Sequence, residues 1–213
     1  MTLRLNGSTS GYTEIDAPAS AGNNTLLLPT GNGSARQALV DDGTGALSFQ
    51  WNAGALFYRL NATLVGGNVN TAQAALGVGV TVAAATVYQV EAVYLLTKTV
   101  GGTGHTISTA FGGTATLNNI GYAGVGNINN GNVVVASVTT ASATALTSSV
   151  STASCVAVIR LWGSVSINAG GTLIPQYQLS AAPGGAYSTL AGSYIRLTPI
   201  GAAGSASSQG TWS

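Results

Sequence analysis

Alternation of apolar and polar residues is the feature that most restricts how this 213-residue chain can fold. Leu56, Tyr58 and Leu60 share one face of an extended segment, and Arg59 and Asn61 lie on the other. The same period of two returns in four later segments, over residues 78–96, 159–167, 173–181 and 195–197. Because successive side chains of a β-strand point to opposite faces of a sheet, this period predicts strands with one buried face.

Glycine-rich turns separate the alternating segments. The chain has 30 Gly and few Glu or Lys, a composition that disfavours helices. Strands of this length between such turns are typical of antiparallel β-sandwiches. We therefore predict an all-β protein built as a jelly-roll-like antiparallel sandwich, with a short helical turn allowed over residues 71–76. Gly121, Gly124 and Gly126 lack the spacing of a nucleotide-binding loop and predict a further turn.

Charged side chains divide the chain near Gln50 and Trp51. Residues 1–51 are predicted to form an extended, β-rich N-terminal arm, and residues 52–213 the sandwich. The predicted strands of the arm are short and bury little surface alone, so we expect packing on other chains to order it. Six of the eleven charged residues of the chain belong to this arm: Arg4, Glu14, Asp16, Arg36, Asp41 and Asp42.

The chain has few side chains of the kinds that enzymes use in catalysis. The chain has five carboxylates, one His and one Cys, and no Asp or Glu follows Glu91. Most enzymes need such groups to move protons, hold metals or attack bonds. We therefore predict a protein that is not an enzyme and that has no cofactor and no metal site.

The net charge of +1 gives no reason to expect a nucleic-acid partner. We also expect no secretory signal, because Asn6, Gly7 and Ser8 follow Arg4 where an apolar segment would be needed. We expect no membrane insertion, because the apolar stretch over residues 78–96 alternates and contains Gln89 and Glu91. A surface this close to neutral favours association, so a homo-oligomer is expected.

Isolated polar residues have plain structural interpretations. His105 has no acid near it in sequence and is expected to be a hydrogen-bonding residue at a turn or interface. Cys155 lies in a strand-like segment and is expected to be a small core residue. The pair Asp41 and Asp42 precedes Gly43, which is typical of a turn rather than of a calcium site or a glycosidase pair.

Large aromatic residues are the predicted anchors of packing or of subunit interfaces, because their rings bury the most area. Glu91 and Arg160 lie on the less apolar faces of apolar strands, and we expect them to pair across strands or across a subunit boundary. The predicted anchors are Trp51, Tyr58, Trp162, Tyr177 and Trp212.

Motifs along nearly the whole chain resemble bacteriophage structural proteins. The first part resembles the opening of many such proteins in Leu3-Arg4-Leu5-Asn6-Gly7-Ser8-Thr9-Ser10-Gly11-Tyr12 and in Asp42-Gly43-Thr44-Gly45-Ala46-Leu47. The rest resembles a phage C-terminal β-sandwich in Phe57-Tyr58-Arg59-Leu60-Asn61, Gly112-Gly113-Thr114-Ala115, Pro175-Gln176-Tyr177 and Ser180-Ala181-Ala182-Pro183-Gly184-Gly185-Ala186-Tyr187.

The resemblance implies a trimeric β-sandwich on a virion surface, of the type found in cyanophages. It implies a homotrimeric cement protein on the outer capsid, made in the host cytoplasm, whose partners are its own copies and the major capsid protein. The charged residues of the arm are then the expected capsid-docking residues, and residues 52–213 the trimerisation domain.

Two alternatives stay open. One is a tail-fibre or tailspike tip that binds a host cell-surface glycan. The other is a polysaccharide depolymerase, which would use Asp41 and Asp42. The absence of a long shaft favours the capsid role over the tail.

Overall fold

The computed structural model describes residues 3–6, 9–15, 23, 25–32, 38–41, 44–50, 54–129, 131 and 133–206. These residues form strands and turns without any helix, so the all-β prediction is confirmed. None of them belongs to a helix of the length and apolarity needed to cross a membrane. Backbone contacts group the chain into two compact units, Met1–Ala53 and Gly54–Ser213. The jelly-roll topology and the extended arm stay predictions.

The first unit contains two small antiparallel pairs of strands. Strand β1 (Leu3–Asn6) pairs with β2 (Tyr12–Ile15), and β3 (Ala38–Asp41) pairs with β4 (Leu47–Gln50). A single parallel bridge joins Leu27 to Ala46, just before β4.

The second unit consists of two antiparallel sheets. The strands are β5 (Leu56–Arg59), β6 (Leu64–Val65), β7 (Gln73–Ala74), β8 (Val80–Val82), β9 (Thr86–Lys98), β10 (Ile107–Gly113), β11 (Leu117–Ile128), β12 (Val133–Val138), β13 (Thr144–Ala145), β14 (Cys155–Ile167), β15 (Gly171–Leu179), β16 (Ser188–Thr189) and β17 (Tyr194–Ala202). In the large sheet the order is β12-β11-β14-β9. The other edge of β9 pairs with β16 near the C-terminal end of β9 and with β17 over the rest, and β16 and β17 pair in turn with β6 and β5. In the small sheet the order is β13-β10-β15-β7, and β8 also pairs with β15.

One hydrophobic core fills the space between the two sheets, as in a β-sandwich. Tyr94 on β9, Leu161 on β14 and Tyr177 on β15 are fully buried there, as the alternation predicts. Burial of each large apolar side chain contributes about 1.5–3 kcal/mol. Because successive side chains of a strand point to opposite faces, the residues between the core positions point outward, and Arg160 and Trp162 do so on β14.

One of two sequence predictions about local structure is wrong. Residues 71–76 contain no helix, because β7 pairs with Gln176 and Tyr177 of β15, but one hydrogen-bonded turn follows β7, in which the backbone NH of Gly77 donates to the carbonyl oxygen of Ala74 at 3.3 Å. The prediction of a turn at Gly121, Gly124 and Gly126 is wrong, because these residues lie inside β11. A Cβ on Gly126 would overlap the carbonyl oxygen of Leu146, so this glycine lets a loop approach the strand closely.

Candidate interaction face on the large sheet

The outward-pointing residues of the large sheet form a continuous face, which we call the outer face. Strands β12, β11, β14, β9, β17 and β5 pair in register, so their outward positions form rows that run across the sheet. Directly opposed residues of antiparallel strands lie close enough for their side chains to interact. The face therefore brings together residues that are far apart in the sequence.

Charged residues of the sandwich are concentrated on this face. Within residues 54–206, as far as the structure describes them, there are five charged side chains, and Lys98 is buried. The other four all point outward from the large sheet, where three Arg and one Glu leave an excess of two positive charges: Arg59, Glu91, Arg160 and Arg196. The outward positions of β15 in the small sheet are uncharged.

Two adjacent rows contain all four of these charges, and we call them the aromatic–arginine band. In one row Glu91 is flanked by Trp162 and Arg196, and in the other Val93 is flanked by Arg160 and Tyr194. Strand β5 ends both rows. The first row reads Trp162, Glu91, Arg196 and Phe57, and the second reads Arg160, Val93, Tyr194 and Arg59.

Tyr194 occupies the centre of the band. Its hydroxyl donates a hydrogen bond of 2.7 Å to Oε1 of Glu91, and its ring lies 5.9 Å from that of Phe57. The hydrogen bond to Glu91 raises the pKa of Tyr194, whereas the positive charges of Arg160 and Arg196 act in the opposite direction. Both guanidinium groups therefore lie near enough to influence this hydroxyl.

A shallow depression of about 540 Å³ lies over the band. Glu91, Val93, Arg160, Trp162 and Tyr194 all line it. Trp162 is 48% exposed, a large value for an aromatic side chain in the middle of a sheet. The depression thus combines an open indole ring with hydrogen-bond donors and an acceptor.

The other end of the outer face is apolar, and we call it the valine strip. It follows β12, which is an edge strand with β11 as its neighbour. Neither β11 nor β12 contains a charged residue. The strip consists of Val125, Val133, Val135, Val156 and Val158, of which Val135 is 67% exposed and Val133 57%.

The predicted anchors have different surroundings. Tyr177 is buried in the core, where burial raises its pKa to about 12. Tyr58 is 41% exposed and lines an apolar cavity of about 150 Å³ together with Val78 and Pro175. Trp162 belongs to the aromatic–arginine band. Trp51 and Trp212 lie outside the described residues.

The predicted capsid-docking residues are only partly described. Arg4 and Glu14 occupy opposed positions in the pairing of β1 with β2. Asp41 ends β3, on the other two-stranded sheet, and is exposed. Asp16, Arg36 and Asp42 lie outside the described residues.

The predicted pairing of Glu91 with Arg160 across strands is not formed within this chain. The two residues point outward from adjacent strands, but Glu91 lies opposite Trp162, and Arg160 lies opposite Val93. The carboxylate of Glu91 instead accepts from Tyr194. The pairing of β17 with β9 creates that contact between distant parts of the sequence.

A buried polar cluster at one end of the sandwich surrounds His105, which is only 2% exposed. Nδ1 of His105 lies 2.7 Å from the carbonyl oxygen of Thr103, so this nitrogen is the donor. Nε2 then accepts from the hydroxyl of Tyr187 at 2.8 Å. Burial lowers the pKa of His105; the Thr103 carbonyl opposes this, and the charge of Lys98 adds to it. His105 is a hydrogen-bonding residue, as expected, but it lies in the core rather than at a surface turn.

Lys98 belongs to the same cluster. Its Nζ donates to the carbonyl oxygens of Gly101 and Thr152, both at 2.6 Å, and to that of Ala153 at 3.5 Å. It lies directly opposite Cys155, which is buried, as the sequence predicts. The ammonium group therefore ties two loops to the ends of β9 and β14. The described residues contain no group of three or more His, Cys, Asp or Glu that could hold a metal ion.

A scan against protein-family models and a search of curated proteins found no match to this chain. Its function is therefore inferred from the surfaces that the fold presents and from the sequence resemblance. The large sheet offers two such surfaces, the aromatic–arginine band and the valine strip.

Proposed function

We propose that this chain is a non-enzymatic virion structural protein, a homotrimeric cement protein that binds the outer capsid lattice and stabilises it. The sequence resemblance suggests the virion and the trimer. The observation that carries the proposal is the valine strip along the open edge of the large sheet, because an exposed, apolar and uncharged edge favours association with another chain.

The strip has the properties of an interface between chains. An edge strand presents unpaired backbone NH and C=O groups to any other strand, and proteins usually protect such edges with charges, prolines or bulges. Strand β12 carries neither a charge nor a proline. Burial of the exposed part of each valine would remove apolar surface from water, which favours association.

In the proposed mechanism, the sandwich domains associate through uncharged apolar surface and residues 1–51 contact neighbouring capsid subunits. Three linked weak contacts give avidity without one strong site. A trimer that binds only the assembled lattice stabilises the shell by mass action.

The self-association is tested by placing a lysine on the strip. Val135→Lys in the full chain is expected to convert the trimer into monomers in sedimentation experiments, because an ammonium group would be trapped in an apolar interface. Ala143→Lys, at an exposed position near the small sheet, is the matched control and should remain trimeric. A trimeric Val135→Lys variant would exclude the strip as the interface.

The location is tested by counting copies in purified virions. Quantitative mass spectrometry should give a ratio to the major capsid protein that approaches one. A count of a few dozen copies or fewer would contradict the cement role and indicate a tail protein.

The depression over the band favours one second candidate, a tail-fibre or tailspike tip that binds a host cell-surface glycan. The exposed indole of Trp162 lies opposite Glu91 and two residues from Arg160 on β14, so the depression offers a sugar both a stacking surface and hydrogen bonds. This candidate predicts few copies in each virion and binding of the purified protein to host cells. That binding should be lost in Trp162→Ala.

A further inference from the structure

The proposed cement role leaves the aromatic–arginine band without a partner, although this band contains every charged side chain on the described surface of the sandwich. Its charges follow an order. Arg160 lies at one end, on β14, and Arg59 at the other, on β5. Between them Glu91 lies on β9, and Arg196 lies opposite it on β17. The band is therefore positive at both ends, and its one negative charge lies between them.

Sheet geometry sets the distance between the two positive ends. Neighbouring strands are about 4.8 Å apart. Arg160 and Arg59 lie in one row three strands apart, so their backbones are separated by about 14 Å. Four residues of extended chain span about 13 Å. Two acidic groups four residues apart in an extended segment can therefore reach both ends of the band.

The residue types of the band favour a protein partner. Arg, Trp and Tyr are the residues most enriched at the energetic centres of protein–protein interfaces, whereas Lys and Glu are depleted. The band contains three Arg, one Trp and one Tyr, but no Lys. The guanidinium group also binds a carboxylate in a bidentate manner, which gives geometric specificity.

The position of Glu91 disfavours a uniform polyanion. A nucleic acid carries a phosphate on every nucleotide, and a polyuronic acid carries a carboxylate on every sugar. Either chain would place a negative charge over Glu91 whenever it reached both ends of the band, and like charges held close together repel. A protein segment can avoid this contact by having a hydroxyl or a cation at that point.

We infer that the aromatic–arginine band is the docking site for a protein segment that carries carboxylates at both ends, about 13 Å apart, with a hydroxyl or a cation between them. The carboxylates bind Arg160 at one end and Arg196 with Arg59 at the other. The middle of the segment lies over Glu91, beside the rings of Trp162 and Tyr194. This docking does not depend on where the chain lies in a virion.

The test uses the full-length protein labelled with 5-fluorotryptophan and two peptides of equal composition. The patterned peptide is Glu-Glu-Lys-Ser-Glu-Glu, and the shuffled peptide is Glu-Glu-Glu-Glu-Lys-Ser. The fluorine signal of Trp162, assigned by its loss in Trp162→Phe, reports binding at the band. We expect the patterned peptide to shift this signal and to bind at least threefold more tightly than the shuffled one.

Two variants separate patterned recognition from general attraction of anions. Arg160→Gln should weaken binding of the patterned peptide at least threefold. Glu91→Gln should improve binding of the shuffled peptide and so abolish the preference. Gln178→Ala, on the small sheet, is the control and should change neither affinity.

Other outcomes would overturn the inference. Equal binding of the two peptides, no shift at Trp162, or an undiminished preference in Glu91→Gln would each exclude patterned recognition. Tighter binding of tetragalacturonate or of a short single-stranded oligonucleotide than of the patterned peptide would assign the band to a sugar or a nucleic acid instead. Failure here would leave the Val135→Lys experiment unaffected.

Discussion

The hydroxyl of Tyr194 donates a 2.7 Å hydrogen bond to the carboxylate of Glu91, which comes 103 positions earlier in the chain. Loss of the phenolic proton would break this bond and place two negative charges together, so the pKa of Tyr194 is raised. We predict that Glu91→Gln lowers the pKa of Tyr194, because Arg160 and Arg196 then act without an opposing carboxylate.

Nuclear magnetic resonance titration of the tyrosine ring carbons would measure this change. Gln89→Ala is the control, because Gln89 also points outward from β9 but lies opposite Thr198 rather than Tyr194. An unchanged Tyr194 pKa in Glu91→Gln would show that the hydrogen bond does not persist in solution.

His105 should make the protein less stable in mild acid. Its pKa is lowered in the folded state, below the ordinary value of 6.5, so the unfolded chain binds the proton first as the pH falls. The free energy of unfolding should be highest above about pH 6.5 and should decline as the pH falls below it. Because the chain has one histidine, His105→Gln should remove this dependence.

Urea denaturation at about pH 7.5, 6.5 and 5.5 would test this. At about pH 7.5 the variant, which loses the bond to Tyr187, should be less stable than the wild type by about 1 kcal/mol. This difference should shrink as the pH falls, because only the wild type loses stability there, so the slope is the diagnostic quantity. Parallel pH profiles for the wild type and the variant would contradict the prediction.

Tyr94 should be replaceable by phenylalanine without cost. Its hydroxyl is buried and has no hydrogen-bond partner among the described residues, and burial raises its pKa. Tyr94→Phe removes an unpaired polar group, so we expect the free energy of unfolding to stay equal or to rise by about 1 kcal/mol. Tyr122→Phe is the matched comparison, since it loses the 3.2 Å bond to Thr109 and should destabilise by about 1 kcal/mol. Equal losses in the two variants, measured by denaturant unfolding, would show that the Tyr94 hydroxyl does have a partner.

Two glycines of β11 should respond differently to alanine. A Cβ on Gly126 would overlap the backbone of Leu146, whereas a Cβ on Gly121 would meet nothing within 4 Å. Gly126→Ala should therefore destabilise the fold by about 1–3 kcal/mol, and Gly121→Ala should be close to neutral. Thermal denaturation of both variants would measure the difference. A Gly126→Ala variant as stable as Gly121→Ala would show that the segment around Leu146 shifts away from the strand at little cost in free energy.

Strict alternation made the inward and outward faces of β9 and β14 predictable. Strand β11 was missed because Gly121, Gly124 and Gly126 are typical turn residues, yet all three lie inside the strand, and Gly124 and Gly126 lie where Leu146 packs closely on it. Such crowding depends on residues that come later in the chain, so no local pattern reveals it. In the same way, the pairing of β13 with β10 could not be located within the uniform Val, Thr, Ser and Ala composition of residues 133–154.

The interaction face was predictable only in part. Trp162, Glu91 and Arg160 could be singled out from the alternation, but Tyr194 could not, because its contact with Glu91 requires the pairing of β17 with β9. The sequence does indicate that Lys98 is buried. Lys98 continues the alternating series of Tyr94 and Leu96, so its side chain points inward like theirs. The carbonyl groups that accept its hydrogen bonds belong to loop residues, and loops show no periodic sequence pattern.

Because Lys98 and Cys155 are both buried, chemical labelling of their side chains reports when this end of the sandwich opens. They are the only lysine and the only cysteine of the chain, and they lie opposite each other inside the sandwich. Acylating reagents find no lysine amine on the folded surface, and alkylating reagents find no thiol. The rate at which the two side chains become labelled together therefore measures how often this end of the sandwich separates.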